Sequence, residues 1–374
     1  MQVTHITADR RQEWNAFVAQ MSSFALLQSW EWGEFKEKLG WKPFRIAVEE
    51  QKRIVAGAQM LIKPVPLGLA SVAYVPRGPA GDWLDEPITS PLLAELHRVA
   101  RRHHAIFLKV EPLHLNESAV CQVLQRHHFR ASDYSNQPRA TITVDLRPGL
   151  DDIMGQMRKK TRQHIRLAAR QGVSVRVGGQ DDLPAFYELM QITGRRCRFS
   201  PRVFDYYNYQ WQIFASNDQT ALLMAFYNQQ LLAARMVFCF GEQAAEFHAG
   251  SSGEYRDLQP DCLLVWEAIR WAKARGSRTY DLWGIPDKAG QAVYEGKDLP
   301  REECLGDLWG VYQFKRGFSK NVILHASAHD YVYSPLLYTL VTNRFLNGRV
   351  LDKSAVWADR FARRDSQDSS EGPL

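Results

Sequence analysis

Residues 220–241 read TALLMAFYNQQLLAARMVFCFG, two apolar runs of strand length separated by a short polar turn at Asn228 to Gln230. Apolar, β-favouring residues on both sides of such a break describe a hairpin. Downstream, AAEFHAGSS (244–252) adds a strand, LLVWEAIRWAKARG (263–276) is an amphipathic helix closed by Gly276, and RTYDLWGI (278–285) is the strand that follows. The first half of the chain runs through the same order. FRIAVEE (44–50) and RIVAGAQMLIKPV (53–65) form a hairpin around Gln51 and Lys52, and ASVAYVPRGP (70–79) is a strand ending in a Pro/Gly turn. A helix from about Ser90 to His103 and the buried-looking strand AIFLKVEP (105–112) complete it, and the aromatic helical stretch LLQSWEWGEFKEKLGW (26–41) precedes it.

Two successive units of hairpin, strand, helix and strand imply an α/β (α+β) protein of two similar domains rather than one long sheet. This is the layout of the GNAT acyltransferase fold, in tandem. A length of 374 residues suits two domains of ordinary size. Between the halves, PGLDDIMGQMRKKTRQHIRLAARQGVSV (148–175) reads as one helix, with Asp151 and Asp152 suited to its N-terminus and Gly172 to its stop.

Composition narrows the class. A chain 45% hydrophobic, 24% charged and 11% aromatic is a packed globular protein, not a disordered or fibrous one. The N-terminus has no apolar signal region and no stretch approaches the roughly 18 apolar residues of a spanning helix, so the expected location is the cytoplasm. The five cysteines, Cys121, Cys197, Cys239, Cys262 and Cys304, never fall in a metal-binding spacing and read as reduced core thiols, so no metal is expected. A net charge of +6 is compatible with a polyanionic partner without requiring one.

The distribution of that charge is more informative. Arg158, Lys159, Lys160, Arg162, Arg166 and Arg170 lie within about four helical turns with no acidic residue among them. A solvated helix face is one reading; but like charges at i, i+4 repel and normally attract acidic partners, and a phosphate-rich ligand such as RNA explains their absence. In TGRRCRFSPRVFDYYNYQW (193–211), Arg195, Arg196, Arg198 and Arg202 sit among aromatic residues. Arginine forks suit pyrophosphate, whereas the tyrosines read better as core. In WGVYQFKRGFS (309–319), Lys315 stands between Phe314 and Phe318 and is partly desolvated if those rings pack inward; an exposed lysine on an edge strand is the alternative. The glycine-rich pyrophosphate loop of a conventional acetyl-CoA enzyme is missing from both units, where the chain reads SSGEYRDLQPDCLLVWE and VPRGPAGDWLDEP. No nucleophile elbow, HExxH pair or Walker A loop occurs. His103, His104, His127 and His128 read as solvated or capping residues at helix ends.

Six segments, QSWEWGEFK (28–36), YVPRGP (74–79), MRKKTRQHIRLAARQGV (157–173), TGRRCRFSPR (193–202), YDLWGI (280–285) and YQFKRGF (312–318), occur in an order that resembles the Fem (FemABX) family of peptidoglycan interpeptide-bridge aminoacyltransferases over nearly the whole chain. The resemblance implies two GNAT-like domains, here in the compact FemX-like form without a coiled-coil arm. It divides the chain into 1–148 plus about 320–355 as the precursor-binding domain and 149–319 as the catalytic and tRNA domain; the polar, apolar-poor stretch 362–374 reads by composition as a flexible tail. It implies that Lys36 and Arg196 or Arg202 hold substrate phosphates and that Phe314 and Lys315 lie at the reaction centre; Arg77 reads as structural or peripheral. Where many members use an aspartate before proline as a base, this chain has Glu111 in KVEP, one methylene longer, as the candidate catalytic carboxylate; the substrate itself or water is the alternative proton acceptor.

The activity so implied is transfer of an amino acid from aminoacyl-tRNA, a co-substrate, onto an amine of the peptide stem of a peptidoglycan precursor. No cofactor and no DNA are expected; the partners are charged tRNA and UDP-MurNAc-peptide or its lipid-linked successor, with peripheral membrane association. Orientation of two anionic substrates and stabilisation of an oxyanion suffice, because the ester is already activated. The competing reading is an N-acyltransferase of the same fold with an acyl-CoA or other acyl donor, and a third is a non-catalytic RNA-binding duplicate.

Overall fold

The computed structural model describes residues 1–65, 68–115, 117–299 and 308–346. Cys304 and the expected tail 362–374 lie outside them. The chain divides into two compact units, residues 1–139 with 325–374, and residues 140–324.

The first unit holds an eight-stranded sheet. Its order is β1 (Gln2–His5), β2 (Lys42–Glu50), β3 (Arg53–Pro64), β4 (Ser71–Val75), β6 (Ala105–Val110), β15 (His329–Val332), β7 (Arg130–Ala131), with β5 (Ala80–Gly81) paired to β3. The second holds a seven-stranded sheet in the order β9 (Ser174–Gly178), β10 (Thr220–Tyr227), β11 (Gln230–Phe240), β12 (Gln243–Ser251), β13 (Thr279–Gly284), β8 (Ala140–Asp145), β14 (Asn321–Leu324).

Duplication reaches the level of single residues. Both hairpins close on two residues with positive φ, Gln51 (48°) and Lys52 (66°) in one, Asn228 (47°) and Gln229 (65°) in the other. That turn matches the right-handed twist of the flanking strands. In both, the register then slips by one, at Val55 (Glu49↔Ile54, Val48↔Ala56) and at Leu232 (Phe226↔Leu231, Ala225↔Ala233). Each bulge stands at the same offset from its turn. A helix then crosses to a parallel partner, Glu86–Arg102 from β4 to β6 and Pro260–Ala274 from β12 to β13.

The two parallel pairs differ. In the first unit β4 and β6 stay paired as far as Val75↔Val110, and Glu111 N continues the ladder to Val75 O at 3.1 Å. In the second the register runs only from Gln243↔Thr279 to Ala245↔Asp281. Beyond that point β12 bulges at Phe247 (Val237↔Glu246, Met236↔His248), and β13 bends through Trp283, whose φ is 64°. Gly284, at the end of β13 in this fork, is the residue to which Lys315 is bonded.

Two expectations are corrected. The boundary expected at 148/149 falls at Arg139/Ala140, because β8 pairs with β13 and β14 in the second sheet while β15 returns to β6 and β7 in the first. The linking stretch is two helices, Leu150–Gln156 and Lys159–Arg170, not one. Met157 and Arg158 are extended because Arg158 N donates to Gly317 O (2.9 Å), and Arg162 Nη1 takes up the freed carbonyls of Gly155 (2.7 Å) and Met157 (2.9 Å). Gly155, a poor helix former, sits at the break.

Candidate active site

Lys315 ends the helix Leu308–Lys315 and is buried, with Nζ donating to Gly284 O at 2.8 Å. The inward packing of Phe314 against Phe318 (5.3 Å between centroids, edge-on) removes water from it. Burial pushes its pKa down to about 8; Glu246 and Asp281 draw it up and Arg235 adds to the fall. Beneath it lies a buried network. Arg235 of β11 meets Glu246 at 2.6 Å and Asp261 at 3.2 Å, Tyr280 donates to the other oxygen of Glu246 at 3.1 Å, and the Arg235 guanidinium stands 5.6 Å from the Phe314 ring. A lysine here is a desolvated, fixed cation with a proton it can hold or release near neutral pH, suited to a developing negative charge.

The basic helix adjoins this element. Arg158 is joined to it by Nη1 to Gln313 Oε1 (3.1 Å) as well as by the backbone bond to Gly317, whose lack of a Cβ makes room for Thr161. Lys159, Lys160, Arg166 and Arg170 are exposed, Arg158 and Arg162 half-buried. Among the described residues no carboxylate pairs with any of the six.

Arg196 is exposed, bonded to Ser251 O (3.1 Å) and Oγ (2.7 Å). Its Nη1 and Arg256 Nη2 converge on Gly253, 2.5 and 3.3 Å from where a Cβ would stand. Arg202 lies apart from them in the local chemistry, its guanidinium 5.1 Å from the Tyr206 ring and its buried Nη1 without a hydrogen-bond partner among the described residues. Nearby, Gln210 is fully buried with Oε1 2.8 Å from His248 Nε2 and its own Nε2 without a hydrogen-bond partner among the described residues. Burial, then Arg202, pushes the His248 pKa down to about 3, which keeps the ring neutral.

In the first unit, Ser29 caps the helix Trp30–Lys38 by accepting from Trp32 N, and that helix carries Lys36 into an aromatic surround. Its Nζ is 5.7 Å from the Trp32 and Phe35 rings and 5.4 Å from Trp41. Arg77 is buried with positive φ (51°) and donates to Pro138 O at 2.8 Å, a structural role. Glu111, named as a candidate base, has both oxygens engaged: one accepts from Tyr74 OH, the other from Asn136 N. Burial raises its pKa against the pull of Lys109. In this geometry it anchors the turn at Asn136 and offers no free oxygen.

A family model described as the FemAB family matches residues 10–230 and 220–343. The chain belongs to the FemAB family. Lipid II:glycine glycyltransferases of Staphylococcus haemolyticus (24% identity, 88% of this chain and 93% of that protein) and Staphylococcus aureus (23%, 91% and 95%) are among its relatives. Its fold is that of FemX (TM-score 0.79, 22% identity, 91% of this chain and 100% of that one) and, more distantly, of a tandem GNAT protein from the clavulanic acid biosynthesis pathway (0.55, 11%, 89% and 99%).

In this FemAB protein the sequence reading missed Arg235, Glu246, Tyr280, Gln210 and His248. A lone arginine inside the apolar run LLAARMVFCFG was the signal available for the first, since a charge in a central strand demands a buried partner. Nothing local marks the others. Cys121, Cys197, Cys239 and Cys262 are free thiols, and burial pushes Cys262 up to about 12.

Proposed function

We propose that the chain transfers an amino-acyl group from charged tRNA to an amine on the stem peptide of a lipid-linked peptidoglycan precursor, in the cytoplasm. The observation that carries this reading is that the acid-free basic helix is hydrogen-bonded through Arg158 to the very segment holding the desolvated Lys315. A surface suited to a phosphate backbone thus leads to a cation suited to an ester oxyanion. Kinship with glycyltransferases named for lipid II supports the acceptor class.

In the proposed reaction the acceptor amine attacks the ester carbonyl, Lys315 meets the oxyanion, the ester C–O bond breaks and the 3′-terminal ribose of tRNA leaves with a proton from the amine, relayed by water or substrate. Lys36 in the first unit and, separately, Arg196 or Arg202 in the second are the residues assigned to substrate phosphates. The test is incubation with a pool of charged tRNAs or with acetyl-CoA, with soluble or lipid-linked precursor, and a product mass read-out. An aminoacyl increment from tRNA supports the reading; an acetyl increment alone moves the chain to the acyl-CoA class.

A further inference from the structure

The C-terminal helix Pro335–Leu346 of the first unit shows two faces. One is committed. Tyr338 stacks edge-on against Phe107 at 5.2 Å and donates to Asp330 at 2.7 Å, Thr342 is buried, and Val341 joins a small core with Val65, Ala70, Val72 and Ile106. The other face presents Leu336, Leu337 and Leu340, at 75%, 40% and 53% exposure. The turn closed by Val65 N to Ala70 O (2.9 Å) shares that core through Val65 and Ala70, and Leu69 beside them is 82% exposed. Four of the large hydrophobic side chains exposed among the described residues therefore flank one small core, where scattered single residues would need no explanation.

Cations stand beside the helix. The helix PLLYTLVTNRFL contains no acidic residue. Two exposed arginines border its packed side, Arg130 with its guanidinium 4.4 Å from the Tyr338 ring and Arg101 5.4 Å from Tyr333. Apolar side chains projecting from a helix amid cations describe a surface that lies in a headgroup layer, leucines inward and arginines at anionic lipid. No helix of the described residues is long and apolar enough to cross a membrane, so contact by this face would be peripheral.

We infer that the outer face of Pro335–Leu346, with Leu69, docks on an anionic lipid bilayer. The inference rests on the reading that the acceptor is lipid-linked: a protein working on such a substrate gains by residing where it is displayed. A second copy of the chain is the alternative cover for this face.

The test needs no substrate and so stands apart from the transferase reading. The full chain is sedimented with vesicles of phosphatidylcholine alone and with vesicles containing a third phosphatidylglycerol, at low and high salt, beside Leu336→Asp/Leu340→Asp and the milder Leu336→Gln/Leu340→Gln. Expected are binding to the anionic vesicles only, weakening with salt, and a loss of roughly tenfold or more in the double variants with unchanged thermal melting. Equal binding by wild type and folded variants, or no vesicle binding at all, overturns the inference. So does a wild-type dimer that becomes monomeric in the variants, which assigns the face to a second copy.

Discussion

Lys315 Nζ and Gly284 O lie 2.8 Å apart, so the ammonium is tied to the last residue of β13, past the point where β12 and β13 part. The cation's position is therefore set by the fork itself.

That tie has a pH signature. A lysine whose pKa has fallen from 10.5 to about 8 is charged below pH 8 and loses its proton as pH rises through that value. The transfer rate should fall on the alkaline side with an apparent pKa near 8, and in Lys315→Arg that limb should vanish because a guanidinium stays charged. Between about pH 8 and 10.5 the unfolded lysine binds a proton that the folded one has released, so wild type should gain stability relative to Lys315→Met across that window. An alkaline limb unchanged in Lys315→Arg removes Lys315 from the reaction.

For the basic helix, the informative residues are those with no structural duty. Neutralising Lys159, Lys160 and Arg166 to glutamine should lower the magnitude of the log–log salt slope of tRNA binding by about two to three, with acceptor affinity and melting temperature preserved. Arg158 and Arg162 are unsuitable, since they hold the break between the two helices. A slope unaltered in the triple variant would return this strip to the class of solvated faces.

Lys36→Met should leave the fold intact and raise the acceptor KM by roughly ten- to a hundredfold, the value of one charge-assisted contact, with kcat little changed. Steady-state kinetics at saturating donor decide it. A variant with wild-type KM shows the aromatic surround of Trp32, Phe35 and Trp41 to be packing alone.

Glu111 separates anchoring from catalysis. Glu111→Gln can still accept from Asn136 N and donate to Tyr74, so activity should persist within a few-fold. Glu111→Leu strands the buried Tyr74 hydroxyl, at about 1–3 kcal/mol, and the half-buried Asn136 N–H at less, and should lower the melting temperature. Loss of turnover in a stable Glu111→Gln variant would restore the carboxylate to a role as base.

The doubled architecture was legible because hairpins and crossover helices announce themselves locally: Gln51–Lys52 and Asn228–Gln229 each break an apolar run at the right place. The basic helix and the Phe314–Lys315 pair were legible as anomalies of composition. What was not legible depended on pairing at long range. ATITVD reads as a strand in either domain, and only its ladder with β13 assigns it to the second. Glu246 and Tyr280 come together across the parallel strands β12 and β13, a meeting that no spacing along the chain encodes.

The exchange of β8 and β15 bears on the order in which the protein can be built. On the ribosome, residues 1–139 emerge with β6 lacking its outer neighbour and β7 lacking any partner until residue 332 has been made. An N-terminal fragment would present β6 as an open edge, the template from which aggregation starts. The second unit spans residues 140–324 without interruption and holds all seven of its strands, so it can close first. The unit whose translation begins second would then be the first to reach its final sheet.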